Sequence, residues 1–172
     1  IELGDRSQYS SRWKALRLSN QVHNIMTFAD SLQRVDARAK IVASGDRKGF
    51  VYAVTDLSEV DAAAVAAHRS GVAIVGASYV VVRDEVTNGN CEMPLRWAML
   101  TPAEVRIVDD RTAELTLGGE RLLMRVEGDD VRLGIWSTAP RHEYDEPNPG
   151  TAMVGFTAML APGAHAAYTV RL

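Results

Sequence analysis

The chain reads as an all-β protein, an antiparallel β-sandwich of about a dozen strands with at most one short helix. Three features of its 172 residues predict this. Apolar residues alternate with a period of two in short runs rich in β-branched and aromatic side chains. Glycine, asparagine and proline punctuate those runs. Only one stretch, Asp61-Ala62-Ala63-Ala64-Val65-Ala66-Ala67, has sustained helix propensity. No repeat of fixed period and no low-complexity segment interrupts the pattern.

In chain order, Trp13–Leu18 is the first predicted strand, followed by a polar corner and then Ile25–Phe28. Ala37–Ala43 and Phe50–Thr55 come next, with Gly45, Asp46 and Gly49 as breakers. Between Asp56 and Arg69 the alanine run predicts one or two helical turns in a connection, capped by Asp56 or Ser58. Gly71–Val75 and Ser78–Val86 form a hairpin across Gly76-Ala77. The unbroken apolar run in its second arm implies burial on both faces. Thr87-Asn88-Gly89-Asn90 is a turn. Pro94–Leu100, Ala103–Val108 and Thr112–Leu117 are further strands, and Gly118-Gly119 closes a hairpin into Arg121–Val126. Val131–Ser137 precedes a proline-rich polar loop, Pro140–Gly150. Thr151–Leu160 and His165–Leu172 make the last pair, joined by Ala161-Pro162-Gly163-Ala164. Trp13, Trp97 and Trp136 sit inside strand patterns and are expected in the core.

Composition bounds the function. A length of 172 residues supports one substantial core, so residues 1–172 are read as a single domain. A net charge of −3 gives no overall field to recruit nucleic acid or an anionic membrane. The longest apolar runs, Ala62–Ala67 and Val72–Ala77, are too short to span a bilayer as a helix. The single Cys91 excludes an internal disulfide and any multi-cysteine metal site, and its setting predicts a half-buried strand thiol. The chain opens on Ile1, with neither a start methionine nor a signal peptide, and is expected to be a piece of a longer protein.

Chemistry-bearing motifs are sparse. There is no phosphate loop, dinucleotide fingerprint, serine elbow or paired-histidine helix. The most informative polar feature is His23-Asn24, at the start of the strand Ile25–Phe28. A neutral imidazole is a good metal ligand, and a strand edge holds it more rigidly than a loop does. A lone histidine is more often a surface or hydrogen-bonded core residue, so spacing alone assigns it no role. Of the other histidines, His68 and His165 are expected to be exposed. Arg141-His142-Glu143-Tyr144-Asp145-Glu146 gathers imidazole, phenol and carboxylates, the groups of acid–base chemistry, although a solvated loop has the same composition. Arg6, Arg12, Lys14 and Arg17 cluster ahead of His23, a local basic patch suited to a carboxylated or sulfated sugar.

Several segments, in order, resemble one family. Gln8, Ser11-Arg12-Trp13 and Arg17-Leu18-Ser19-Asn20-Gln21-Val22-His23-Asn24-Ile25-Met26-Thr27 are similar to the start of the carboxy-terminal part of heparinase II/III-like polysaccharide lyases. Val54-Thr55-Asp56-Leu57, Tyr79–Val86, Leu95–Thr101 and Tyr144–Gly150 resemble later segments of that family. The resemblance implies a secreted or periplasmic bacterial lyase that acts on uronic-acid polysaccharides by β-elimination. It implies an upstream α/α toroid as partner and catalytic residues upstream of Ile1. His23 would then be one ligand of a zinc or other divalent metal site completed by upstream residues, with Arg17 and Asn24 binding substrate. This chain alone is not expected to be active, and no nucleic-acid or membrane partner is expected. A carbohydrate-binding sandwich and a purely structural one are the alternatives. Scarce aromatics (Trp 3, Phe 3, Tyr 5) count against the former.

Overall fold

The computed structural model describes Leu16 and residues 18–172. Most of the predicted strand Trp13–Leu18 lies outside them, as do Arg17 and Trp13. The described residues form β1 (Ile25–Phe28), β2 (Lys40–Arg47), β3 (Phe50–Asp56), β4 (Ala67–Val75), β5 (Tyr79–Thr87) and β6 (Met93–Thr101). They continue with β7 (Glu104–Asp109), β8 (Thr112–Leu117), β9 (Glu120–Glu127), β10 (Arg132–Ser137), β11 (Ala152–Leu160) and β12 (His165–Arg171). A 3-10 turn at Asn20–Val22 is the one helical element among them. The predicted all-β class stands.

The strands make two antiparallel sheets, ordered β1-β6-β11-β10 and β2-β3-β4-β5-β12-β9-β8-β7. The core lies between them. Met26, Phe28, Trp97, Val154, Phe156 and Leu160 enter it from the smaller sheet, and Val86, Met124, Val126, Tyr168 and Val170 from the larger. The Trp97 and Phe156 rings stack with centroids 6.2 Å apart. Burying each of these side chains is worth about 2–3 kcal/mol.

The larger sheet outruns the smaller one. The cross-strand row Ala53, Val72, Val82 and Val170 lies on one face of β3, β4, β5 and β12. Val170 is 1% exposed and Val72, two strands further along the row, 48%. The expectation that the Val80–Val82 run is buried on both faces is therefore corrected: these residues are half-buried. Val82, in the row with Val72 and Val170, lies where cover from the smaller sheet gives out, and Val81 is on the other face.

Other expectations also change. The alanine run is not helical; Leu57–Val65 forms turns, with Asp61 and Val65 donating to the carbonyls of Leu57 and Asp61. Asp56 does cap the segment, its Oδ1 accepting the Ser58 N–H at 3.0 Å. The strand predicted at Ala37–Ala43 begins at Lys40 and has a bulge between Ile41 and Ala43. Cys91 is exposed and lies outside the strands, because it falls in the connection between the end of β5 at Thr87 and the start of β6 at Met93. Trp97 is core as expected. Trp136 is half-buried and packs on the opposite, outer face of the smaller sheet, with Leu16, Val22, Ala98 and Met153. The first described residues thus cover that outer face, which is why central β11 is buried on both sides.

Candidate functional site

The His23 segment is built by local hydrogen bonds. Ser19 caps the 3-10 turn: its Oγ accepts the Gln21 N–H and donates to the Leu16 carbonyl. Asn20 ties the turn to the following loop, donating from Nδ2 to the Ser31 carbonyl at 2.9 Å and accepting the Gln33 N–H at 3.1 Å. His23 closes the turn with its own N–H on the Asn20 carbonyl. Its exposed side chain lines a hollow of about 210 Å³ walled in part by Asn20, Gln33 and Arg34. Asn24 is also exposed, and its Oδ1 accepts the Leu100 N–H at 2.8 Å, clamping the corner to β6. Arg17 lies outside the described residues.

Folding brings this segment against the polar loop far along the chain. The buried Asp145 carboxylate accepts the Leu16 N–H at 2.8 Å and the Arg141 and His142 N–H groups at 3.0 Å each. Burial pushes the Asp145 carboxyl upward, but these backbone donors and the His142 ring outweigh burial and hold it below the ordinary aspartate value. Asp145 is thus consumed in holding the loop and is not placed as a general base. Arg141 reaches Asp30 at 3.3 Å, and Arg96 reaches the other oxygen of Asp30 at 3.3 Å. Arg96 also donates to the Gln21 carbonyl and lies over the Trp136 ring at 5.6 Å. Burial lowers the pKa of its guanidinium, Asp30 opposes this, and the Arg141 charge adds to the lowering. His142 and Tyr144 stack in parallel, centroids 4.8 Å apart.

A second polar group lies on the core side of the larger sheet. His68, expected to be exposed, is 1% exposed and bridges two buried carboxylates. Its Nδ1 is 2.7 Å from Asp61 Oδ2 and its Nε2 3.1 Å from Asp84 Oδ1. The Phe28 ring meets it edge-on at 5.4 Å. The expectation fails because the alanine run ahead of His68 folds back as turns that aim Asp61 inward onto its ring. From Asp61 the hydrogen bonds continue through Gln33 Nε2 at 3.1 Å, and the Gln33 N–H reaches Asn20. The buried triad therefore supports the wall of the His23 hollow.

Burial pushes the His68 pKa down, but the hydrogen bonds and charges of Asp61 and Asp84 prevail and raise it from 6.5 to about 9. A folded pKa above the unfolded one contributes stability that is fully present below pH 6.5 and is lost as the pH rises to about 9. Urea midpoints are expected to fall across that window, and His68→Gln should flatten the fall. A wild-type midpoint that stays level from pH 6.5 to 9 would sink the assignment.

His165 is exposed, as expected, with its Nδ1 2.9 Å from Thr87 Oγ1. No three His, Cys, Asp or Glu side chains among the described residues are grouped to hold a metal ion. Structural zinc takes four protein ligands and catalytic zinc three, so the described residues alone do not fit a complete site.

The comparisons with known proteins bear on the fold. No protein-family model and no curated protein sequence matches the chain. Among solved structures it is similar to the heparinase III BT4657 gene product, with TM-score 0.72 and 18% identity over 99% of this chain and 26% of that one. It is also similar to the heparan sulfate lyase HepC from Pedobacter heparinus, with TM-score 0.67 and 12% identity over 87% of this chain and 24% of that one. The chain spans about a quarter of the length of the lyases it matches. In fold, this chain is a β-sandwich of the kind found within heparinase III and heparan sulfate lyase.

Proposed function

We propose that the chain is the β-sandwich of a heparinase II/III-like polysaccharide lyase that cleaves uronic-acid polysaccharides by β-elimination. The observation that carries this reading is the fold match along 99% of the chain to a heparinase III. In such an elimination the uronate carboxylate is neutralised, a base takes the C5 proton and an acid protonates the departing O4. On this reading those groups sit on an α/α toroid of the same protein, and the sandwich supports it and walls one side of the cleft. His23, exposed on its hollow, supplies one ligand to a zinc or other divalent metal completed by residues of that neighbour. On the same reading, Arg17 and Asn24 bind substrate. The protein works in the periplasm or outside the cell.

The test uses the whole protein incubated with heparan sulfate and with alginate. Ultraviolet absorbance of an unsaturated uronate is expected to grow with at least one of them. This chain by itself is expected to produce none. Activity from it alone would show that the catalytic groups lie within these residues. In the same preparation His23→Ala is expected to lower bound zinc measured by atomic emission. Unchanged metal content removes His23 from the ligand set.

A further inference from the structure

The surface formed by Arg141, His142 and Tyr144 is more ordered than an unused polar loop needs to be. Asp145 has its side chain fully buried and draws two N–H groups of the loop onto one oxygen. Thr138 and Asn148 tie the far side: Thr138 Oγ1 donates to the Thr151 carbonyl at 2.9 Å, and Asn148 Nδ2 to the Thr138 carbonyl at 3.3 Å. The loop is therefore a rigid mount. It presents to solvent a cation and an aromatic face, together with the carboxylates Glu143 and Glu146. Arg141 is 38% exposed, His142 55% and Tyr144 59%, the last two rings held within 4° of parallel.

The charges around Arg141 are mixed, since Glu143, Asp145 and Glu146 share its loop. Asp30 is one carboxylate shared by two guanidiniums, Arg96 and Arg141. The Arg96 side chain is only 12% exposed, so water screens it poorly. Arg141 is the more exposed of the two, and a guanidinium receives carboxylate or sulfate in bidentate fashion. The stacked rings next to it offer an apolar face of the kind that packs against the C–H face of a sugar. Anion and pyranose ring together describe one ligand class.

We propose that Arg141, His142 and Tyr144 form a subsite for an acidic sugar unit, its carboxylate or sulfate on Arg141 and its ring on the His142–Tyr144 stack. Arg96 and Asp30 set the position of Arg141 and do not touch the sugar. The choice of a glycan as ligand rests on the lyase reading; the geometry of the subsite does not.

The chain is titrated with a heparan sulfate hexasaccharide, a neutral cellohexaose and inorganic sulfate, followed by calorimetry and by the amide and ring resonances of residues 141–145. The acidic hexasaccharide is expected to bind and shift those resonances, and cellohexaose to leave them unmoved. Arg141→Ala and Tyr144→Ala, both at exposed positions, should each weaken binding about tenfold while circular dichroism stays unchanged. Arg141→Lys should recover part of the loss. Raising the salt should weaken the wild type more than Arg141→Ala. The subsite is overturned if the hexasaccharide does not bind, if both alanine variants bind it as tightly as wild type, or if sulfate alone matches it (an adventitious ion only). Each of those results leaves ultraviolet activity of the whole protein intact, so the subsite fails separately from the lyase reading.

Discussion

Asp84→Ala is expected to destabilise the chain by about 3–5 kcal/mol, among the largest single-residue effects the structure supports. The Asp84 side chain is 3% exposed and faces an imidazole that is 1% exposed. At neutral pH that imidazole is protonated, because its pKa is raised to about 9. Removing Asp84 leaves a buried cation with one carboxylate where it had two, in a place water does not reach. The expected response is a lower His68 pKa and a looser Asp61 turn. Asp84→Asn keeps an acceptor for the Nε2–H and loses only the charge, so its cost should be smaller, about 1–2 kcal/mol. Urea unfolding at pH 7 measures both, and equal midpoints for Asp84→Ala and wild type would refute the claim that the triad holds the fold. If Gln33 transmits the triad to the Asn20 turn, as its hydrogen bonds suggest, the amides of residues 19–24 should also exchange faster in Asp84→Ala.

Gly155→Ala is expected to cost about 3 kcal/mol or more, from overpacking rather than charge. A Cβ at this position would overlap the Trp97 carbonyl oxygen and come within 2.7 Å of Ala98 Cα. Both obstacles are backbone, so no rotamer change relieves the clash. β11 cannot move aside either. It is paired with β6 from Ala152 to Leu160 and with β10 from Arg132 to Ser137. Gly71→Ala is the control: it also lies mid-strand, but its nearest contact would be a Val54 methyl at 3.5 Å. It should change stability by less than about 1 kcal/mol. Comparable thermal midpoints for the two alanine variants would show that the smaller sheet yields more than its pairing implies.

Much of the fold was legible because its signals are local. Gly76-Ala77 and Gly118-Gly119 turn the chain with positive φ at Gly76, Ala77, Gly118 and Gly119, and the alternation on either side fixes which residues share a face. The alanine run misled for an equally plain reason. Helix propensity is worth tenths of a kcal/mol per residue, while turning Asp61 inward onto a buried imidazole involves several. The hairpin already contained part of that answer: folding about Gly76-Ala77 sets His68 opposite Val86, on the face that carries Asp84. What it lacked was which face the smaller sheet would cover.

The site divides in the same way. The sequence by itself determined an antiparallel sandwich, most of its turns, and a polar corner ahead of Ile25–Phe28, since each rests on residues within a few positions of one another. Only the tertiary structure decided that Leu16 meets Asp145, that Arg96 and Arg141 share Asp30, and that His68 lies between two carboxylates. Those contacts join residues from 7 to 129 positions apart. Charge pairing across such distances follows from which strands become neighbours, and that is set by burying the apolar faces of two sheets together, a condition no single stretch of the chain contains.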